Sequence, residues 1–215
     1  MKKEFLKFLI CPETKEKLEL KNEELDAQGL IKNGELISSK KKYNIINYIP
    51  RFVTYNYADN FGLQWNKHKH TQLDKENSFS ISEKRFFETT NWTSNLKGHI
   101  ILEAGCGMGR FTEQALKTGA TVVSFDLSTA VDANFKNNQH NNLLVIQADI
   151  LNMPFRDNFF DKIFCLGVIQ HTPNPMRSFN CLKKKLKIAG EIVIDVYRKH
   201  KNFSLIFNSK TRPEP

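Results

Sequence analysis

The fold of this chain is decided by the stretch Ile100-Ile101-Leu102-Glu103-Ala104-Gly105-Cys106-Gly107-Met108-Gly109. Its first residues form an apolar run, which predicts a short strand that is buried on both faces. The three glycines among its last five residues let the backbone turn sharply and lie close to a ligand. A helix is predicted over 111–117, and the free N–H groups of its first turn face the same place. We therefore predict a strand, a loop and a helix that together hold a ligand.

Four more apolar runs follow this unit. Strands are predicted at 121–125, 143–147, 162–166 and 191–196, and further helices at 129–137 and 175–186. Runs of Val, Ile and Leu without alternation are typical of parallel strands that helices cover on both sides. The pattern predicts an α/β fold with an open, doubly wound and mostly parallel sheet. In such sheets a ligand binds beyond the carboxyl ends of the strands, where the winding reverses.

Two aspartates at strand ends indicate what the glycine loop binds. Asp126 ends the second strand, 21 residues after Gly105, where a carboxylate can accept both hydroxyls of a ribose. Asp149 ends the third strand, where it can accept from an adenine amino group. The alternative ligand is a nicotinamide dinucleotide, but Arg110 stands where that fingerprint has its third glycine. Each aspartate taken alone also fits a helix cap.

Four stretches carry a resemblance to a known family. They read E-A-G-C-G-M-G-R-F-T at 103–112, S-F-D-L-S at 124–128, Q-A-D-I-L-N-M-P-F at 147–155 and F-F-D-K-I-F-C-L-G-V-I-Q-H-T-P-N-P at 159–175. From about residue 57 to 198 the chain resembles the class I S-adenosylmethionine-dependent methyltransferases, whose fold is Rossmann-like.

This resemblance implies that S-adenosyl-L-methionine is the cofactor. It assigns the methionine portion to the glycine loop, the ribose to Asp126, and the adenine to Asp149 and Ile150. The predicted cofactor-binding residues are Glu103, Gly105, Cys106, Gly107, Asp126, Leu127, Asp149, Ile150 and Leu166.

Residues 1–55 predict a small β-rich module ahead of this domain. Short strands are predicted at 17–20, 30–31 and 35–37. Asn33-Gly34 predicts a two-residue hairpin turn between two of them, because this dipeptide readily adopts positive φ angles.

The module is also similar to Trm112-like modules. The similarity rests on Phe8-Leu9-Ile10-Cys11-Pro12, on Tyr43 with Ile45, and on Ile49-Pro50-Arg51-Phe52. Zinc-bearing forms of this module carry cysteine pairs, and a zinc site of that kind requires thiolate ligands. No metal is predicted here, because the partner positions are occupied by Thr14, Ser38 and Ser39.

Residues 56–98 are predicted to connect the module to a cofactor-binding domain at 99–215 and to cover the cofactor cleft. Gln64 or Trp65 would then lie near the site. Ser80-x-x-Glu83 has the spacing of a capping box and predicts a short helix.

His171 is the candidate catalytic residue. Methyl transfer is an in-line displacement, and a base assists when an oxygen or nitrogen acceptor must lose its proton. His171 lies just past the fourth strand, and histidine suits this role near neutral pH. In the alternative interpretation, His171-Thr172-Pro173 shapes the loop and caps the next helix.

The composition sets the expected compartment and partners. The four cysteines form no C-x-x-C pair, and no apolar stretch approaches the roughly 20 residues of a membrane span. A cytoplasmic protein with free thiols and no membrane span is therefore expected. The net charge of +9 invites a nucleic-acid partner, but no stretch interleaves aromatics with arginines as RNA-binding signatures do.

We expect a small-molecule acceptor, such as a sugar or another secondary-metabolite or envelope intermediate. The alternatives are methylation of tRNA or rRNA and a non-catalytic scaffold subunit. Class I sheets continue past the fifth strand, so the sheet is expected to lack its last strands. The chain is then a fragment, or a partner subunit completes the sheet edge.

Overall fold

The computed structural model describes residues 1–53 and 80–196. The strands are β1 (Glu19–Leu25), β2 (Ile31–Ile37), β3 (Lys42–Ile46), β4 (Ile49–Arg51), β5 (Ile100–Ala104), β6 (Thr121–Asp126), β7 (Leu143–Gln147), β8 (Phe160–Leu166) and β9 (Leu186–Asp195). The α-helices are α1 (Ile81–Thr90), α2 (Arg110–Lys117), α3 (Ala130–Asn137) and α4 (Pro175–Lys185). Short 3-10 helices span Lys3–Phe8 and Ile169–His171.

The described strands form one nine-stranded sheet in the order β1-β2-β3-β4-β7-β6-β5-β8-β9. The half from β7 to β9 is parallel throughout, and β5 lies at its centre between β6 and β8. The chain winds outward from β5 in both directions, so the loop after β5 lies at the switch point where ligands bind in such sheets. The predicted α/β, doubly wound and mostly parallel fold is confirmed.

The N-terminal module continues this sheet. Strands β1 to β4 pair antiparallel, and β4 then pairs in parallel with β7, with Arg51 opposite Gln147. Tyr43 and Phe52 lie in the same buried apolar cluster as Phe125 of β6. The two halves therefore share one sheet and one core. The predicted division near residue 55 falls outside the described residues and stays a prediction.

The predicted turn at Asn33-Gly34 is wrong. Both residues lie inside β2, and the chain reverses earlier, at a turn over residues 26–30. There the Oδ1 atom of Asp26 accepts hydrogen bonds from the backbone N–H groups of Gln28 and Leu30, both at 2.9 Å. An aspartate that captures two N–H groups in this way stabilises a turn by itself.

Gly34 serves a different purpose in β2. It lies opposite an irregular part of β1, where the Cα atom of Glu23 would be 3.4 Å from a Cβ atom at Gly34. The absence of a side chain at Gly34 thus permits close backbone approach between the two strands.

A two-residue turn does occur in the module, between β3 and β4. Asn47 and Tyr48 adopt φ angles of 50° and 71°, as turns of this length require. The Tyr48 ring stacks on Phe135 of α3, with the ring centroids 5.2 Å apart. This contact joins the module to a helix of the parallel half.

Helix α1 forms where the sequence predicts it, but the predicted capping box is wrong. Ser80 precedes the helix and its side chain makes no capping hydrogen bond. The helix is held by packing instead, because Phe86 is fully buried against Trp92 and Phe164. The predictions for residues 56–79, including Gln64 and Trp65, and for the closing strands lie outside the described residues. Among the described helices, none has the length and apolar character needed to cross a membrane.

Candidate cofactor site

The loop that follows β5, residues 105–109, is called here the cofactor loop. Gly105, Gly107 and Gly109 have φ angles of 77°, 50° and 91°, which side chains other than hydrogen strongly disfavour. The N–H groups of Gly105 and Cys106 donate to the carbonyl of Phe125 at 2.8 and 3.0 Å. These bonds tie the start of the loop to the end of β6.

Tight packing around the cofactor loop also requires glycine. A Cβ atom at Gly105 would lie 2.5 Å from side-chain carbons of Val168, which follows β8. A Cβ atom at Gly109 would lie 2.2 Å from side-chain atoms of Asn134 and Asn138. The loop is therefore enclosed between the exit of β8 on one side and α3 on the other.

Asp126 connects the end of β6 to the cofactor loop. Its Oδ2 atom accepts from the N–H of Gly107 at 2.9 Å. Its Oδ1 atom accepts from the N–H and the hydroxyl of Ser128 at 2.9 and 2.7 Å. A carboxylate offers about four acceptor positions, so this half-buried side chain keeps capacity for a ligand hydroxyl next to the loop.

Glu103 lies beneath the cofactor loop, in the protein interior. Its side chain is 2% exposed and accepts from the Ser124 hydroxyl at 2.6 Å and from the Thr112 hydroxyl. Burial raises the pKa of Glu103 to about 7, against the opposing effect of these two hydrogen bonds. Both hydrogen bonds are with protein hydroxyl groups, and a direct contact of Glu103 with the cofactor stays a prediction.

Cys106 is a buried and neutral thiol. Burial raises its pKa well above the ordinary value, and the charges of Asp126 and Glu103 act in the same direction. Its side chain belongs to the apolar cluster that contains Phe111. The thiol is therefore suited to packing beneath the loop and not to nucleophilic chemistry.

The ends of β6 and β7 lie side by side at this edge. The Ala148 N–H donates to the carbonyl of Asp126 at 3.0 Å, and the Gln147 side chain donates to the carbonyl of Leu127 at 3.0 Å. Asp149 follows directly and accepts from the N–H of Leu151 at 2.8 Å. The predicted residues Leu127, Asp149 and Ile150 thus come together with Asp126, each of them partly buried.

The exit of β8 completes the edge and carries His171. Leu166 ends β8 and is buried, whereas His171 is exposed at the end of the short 3-10 helix. The alternative interpretation of His171-Thr172-Pro173 is right about the loop, because the Thr172 hydroxyl donates to the carbonyl of Ile169 at 2.7 Å. It is wrong about the helix cap, because Asn174 performs that task. Its side chain accepts from the N–H of Arg177 at 2.9 Å.

Sequence reasoning missed the asparagines of α3. Asn134 donates to the Thr112 hydroxyl at 3.0 Å, Asn137 to the carbonyl of Met108 at 3.0 Å, and Asn138 to the carbonyl of Gly109 at 2.8 Å. Asparagine is a weak helix former because its side chain competes for backbone groups. Three of them at one helix end were the available signal, but the sequence does not say which loop they reach.

The Cys11 turn in the module has hydroxyl groups where a zinc site would have thiolates. The Tyr43 hydroxyl lies 3.5 Å from the Cys11 sulfur, and the Thr14 N–H donates to it at 3.4 Å. Burial raises the pKa of Cys11, but hydrogen bonds from Ser38, Thr14 and Tyr43 outweigh this effect and bring it to about 6. Within residues 1–53 and 80–196, no three His, Cys, Asp or Glu side chains come close enough to hold a metal ion.

Comparison with known proteins identifies the domain. Residues 102–194 match the family model described as methyltransferase domain. An uncharacterised protein of Methanocaldococcus jannaschii is 31% identical over 105 residues, which cover 49% of this chain and 44% of that protein. The tRNA U34 carboxymethyltransferase of Nautilia profundicola is 29% identical over 140 residues, covering 56% of this chain and 45% of that enzyme. The chain thus spans less than half the length of these curated relatives.

Solved structures agree with this fold. A Methanococcus maripaludis protein assigned to the S-adenosyl-L-methionine-dependent methyltransferases gives a TM-score of 0.52 at 16% identity, covering 66% of each chain. A chain from the complex of the Haloferax volcanii Trm112 methyltransferase activator with a methyltransferase gives 0.52 at 18% identity, covering 65% of this chain and 61% of that chain.

The fold is that of class I, Rossmann-like methyltransferase domains. Residues 102–194 match the family model of this domain, and the predicted resemblance and its cofactor, S-adenosyl-L-methionine, are confirmed.

Proposed function

We propose that this protein transfers a methyl group from S-adenosyl-L-methionine to an acceptor bound at the carboxyl edge of the sheet. The observation that carries the proposal is the meeting of three strand ends at the switch point. They bring the cofactor loop, Asp126 and Asp149 to one place, and the Gly107 N–H bonds directly to Asp126. The residues fit the cofactor, since a glycine loop with room for close approach lies beside a carboxylate that retains acceptor capacity.

The roles follow the chemistry of the cofactor's parts. The cofactor loop holds the methionine portion, Asp126 accepts from the ribose hydroxyls, and Asp149 with Ile150 binds the adenine. Leu127 and Leu166 supply apolar surface. When bound, the sulfonium group provides an electrophilic methyl group, and the protein accelerates the transfer mainly by alignment.

His171 is proposed as the general base. It is exposed at the same edge, in the segment whose Val168 packs against Gly105. A base at this position accepts the proton of an oxygen or nitrogen acceptor during transfer.

Two acceptor classes are considered. The first candidate is a small molecule, such as a sugar or an envelope intermediate. RNA is the second candidate, favoured by the net charge of +9 and by an outward face of α4 with Arg177, Lys183 and Lys184. These three exposed side chains take part in no salt bridge with the described residues. The relatives named tRNA U34 carboxymethyltransferase match over about half of this chain, which supports cofactor binding more than acceptor choice.

The free state of the four cysteines supports the proposal that the protein works in the reducing cytoplasm. The proposal also includes a partner subunit that pairs with the edge strand β9.

The cofactor proposal is tested by ligand binding. S-adenosylhomocysteine should raise the melting temperature, because a ligand selective for the folded state stabilises it, whereas NAD should not. Asp126→Ala should weaken S-adenosylhomocysteine binding by more than about tenfold in calorimetry, since it removes a charged acceptor. Asp157→Ala is the matched control. Asp157 precedes β8 and forms an ion pair with Lys185, away from the carboxyl edge of the sheet. Stabilisation by NAD alone would refute the proposal.

The acceptor is tested by transfer of a labelled methyl group. The protein is incubated with S-adenosylmethionine carrying a tritiated methyl group and with either total tRNA or a small-molecule extract. Label that ribonuclease releases supports RNA, and label in the low-mass fraction supports a small molecule. Cofactor binding without any labelled product favours the non-catalytic subunit over both enzymatic accounts.

A further inference from the structure

Three asparagines at the end of α3, namely Asn134, Asn137 and Asn138, form what we call the asparagine clamp. Asn134 is 0% exposed and Asn138 is 6% exposed, while Asn137 is partly buried. Buried amides are costly unless each polar group is bonded. The contacts of these amides therefore indicate what they are used for.

The clamp holds two consecutive carbonyls of the cofactor loop. Asn137 donates to the carbonyl of Met108 at 3.0 Å, and Asn138 donates to the carbonyl of Gly109 at 2.8 Å. In a trans peptide the carbonyl and the following N–H point in opposite directions. Fixing these carbonyls toward α3 therefore sets the orientation of both peptide planes, and the Gly109 N–H points back into the loop, where it donates to the carbonyl of Cys106 at 2.9 Å.

The clamp also connects the loop to the residue beneath it. Asn138 donates to Asn134 at 2.9 Å, and Asn134 donates to the Thr112 hydroxyl at 3.0 Å. Thr112 in turn donates to Glu103. A continuous buried network thus runs from the Gly109 carbonyl to Glu103, and satisfied networks of this kind make a site rigid.

Helix formation alone does not account for these residues. Asparagine costs stability in a helix relative to alanine. The side-chain amides of Asn137 and Asn138 instead donate to loop carbonyls 29 residues earlier in the chain. Gly109 leaves the space that the clamp occupies, because a Cβ atom there would collide with Asn134 and Asn138.

We propose that Asn137 and Asn138 are positioning residues, which set the shape of the cofactor loop for the amino-acid half of S-adenosylmethionine without touching it. This inference rests on the proposed function. It extends that function by making the affinity for one half of the cofactor depend on α3.

The test compares two ligands that differ in the amino-acid portion. Asn137→Ala should weaken S-adenosylhomocysteine by about tenfold, the equivalent of one lost hydrogen bond at 1.4 kcal/mol, and should leave 5′-methylthioadenosine within about twofold. Both affinities are measured by calorimetry, together with the melting temperature without ligand. Asn141→Ala is the matched control, because Asn141 is an exposed asparagine just after α3.

A ligand-free measurement keeps the test decisive if 5′-methylthioadenosine binds too weakly. Amide hydrogen exchange of residues 105–110 should accelerate in Asn137→Ala, while exchange in β1 to β3 stays as in the wild type. Asn138→Ala should have a larger effect, since that side chain is buried. Equal losses for both ligands, or unchanged loop exchange with unchanged S-adenosylhomocysteine affinity, would overturn the inference. A wild-type protein that binds neither ligand would instead refute the proposed function.

Discussion

The cofactor loop and the turn over residues 26–30 of the module are both built on glycines with left-handed backbone, but their surroundings differ. Gly29 has φ of 76° and a Cβ atom there would meet nothing within 4 Å. Gly109 has φ of 91° and a Cβ atom would lie 2.2 Å from two asparagine side chains. In the module the glycine satisfies the backbone alone, whereas in the loop it also makes room for the clamp.

Replacing each glycine by alanine should give the largest difference in stability between the two turns. Gly29→Ala should cost about 1–2 kcal/mol, the cost of left-handed backbone for a residue with a side chain. Gly109→Ala should add about 1–3 kcal/mol of overpacking and weaken S-adenosylhomocysteine binding. Urea unfolding measures the first effect and calorimetry the second. Equal losses of stability in the two variants would show that crowding around Gly109 is unimportant.

A carboxylate in the 26–30 turn and one beneath the cofactor loop have opposite pKa shifts. Hydrogen bonds from the Leu30 and Gln28 N–H groups lower the pKa of Asp26, with burial opposing them. Burial raises the pKa of Glu103 from 4.5 to about 7. The same type of group is therefore favoured in its charged form in the turn and in its neutral form beneath the loop.

Stability should respond to pH with opposite signs at these two residues. For Glu103 the contribution is fully present below pH 4.5 and is lost as pH rises to about 7, because the unfolded chain releases its proton first. The shift corresponds to about 3 kcal/mol. The contribution of Asp26 is instead lost as pH falls through its lowered pKa.

Urea unfolding of the wild type and of Glu103→Gln between these pH values measures the effect. The variant should lose most of the decline in stability above pH 4.5. An Asp26→Asn variant should keep that decline. At every pH above the lowered pKa of Asp26, the variant's free energy of unfolding should be smaller than that of the wild type by a constant amount. A decline that persists unchanged in Glu103→Gln would assign it to another group.

The smallest expected difference is between an ion pair that joins the module to α3 and an ion pair within the module. Arg51 and Asp132 are joined at 2.6 Å with side chains 13% and 29% exposed, whereas Lys42 and Glu35 are joined at 2.7 Å with 58% and 23% exposed. Arg51→Ala should cost about 2 kcal/mol, because it removes charge-assisted bonds at the seam between β4 and α3. Lys42→Ala should cost about 0.2–1 kcal/mol in the same unfolding assay. A larger loss for Lys42→Ala would contradict the importance of the seam.

The parallel half was predictable from sequence because its signals are local. Strands buried on both faces leave unbroken apolar runs, so β7 was predicted with its observed limits of Leu143–Gln147. The cofactor loop was recognisable by its three closely spaced glycines. Asp126 and Asp149 were recognisable by their positions at strand ends, and the structure brings both to one edge.

The missed features depend on residues outside the short stretch that carries each sequence signal. Asn33-Gly34 carries a strong local turn signal, but Asp26 forms the turn first and leaves the dipeptide in β2. Asn137 and Asn138 give no sign in the sequence that they reach back to the cofactor loop. The pairing of β4 with β7 likewise has no local signature.

That last pairing can form only after the long segment between the two strands has been synthesised. The side chains of Arg51 and Gln147, which face each other across the β4–β7 seam, are 96 residues apart in sequence. At the usual pace of translation, about 5–20 residues per second, β4 is synthesised about 5–20 s before β7. During that interval the β4 edge of the β3–β4 hairpin has no partner strand, and an unpaired edge of this kind can pair with another chain.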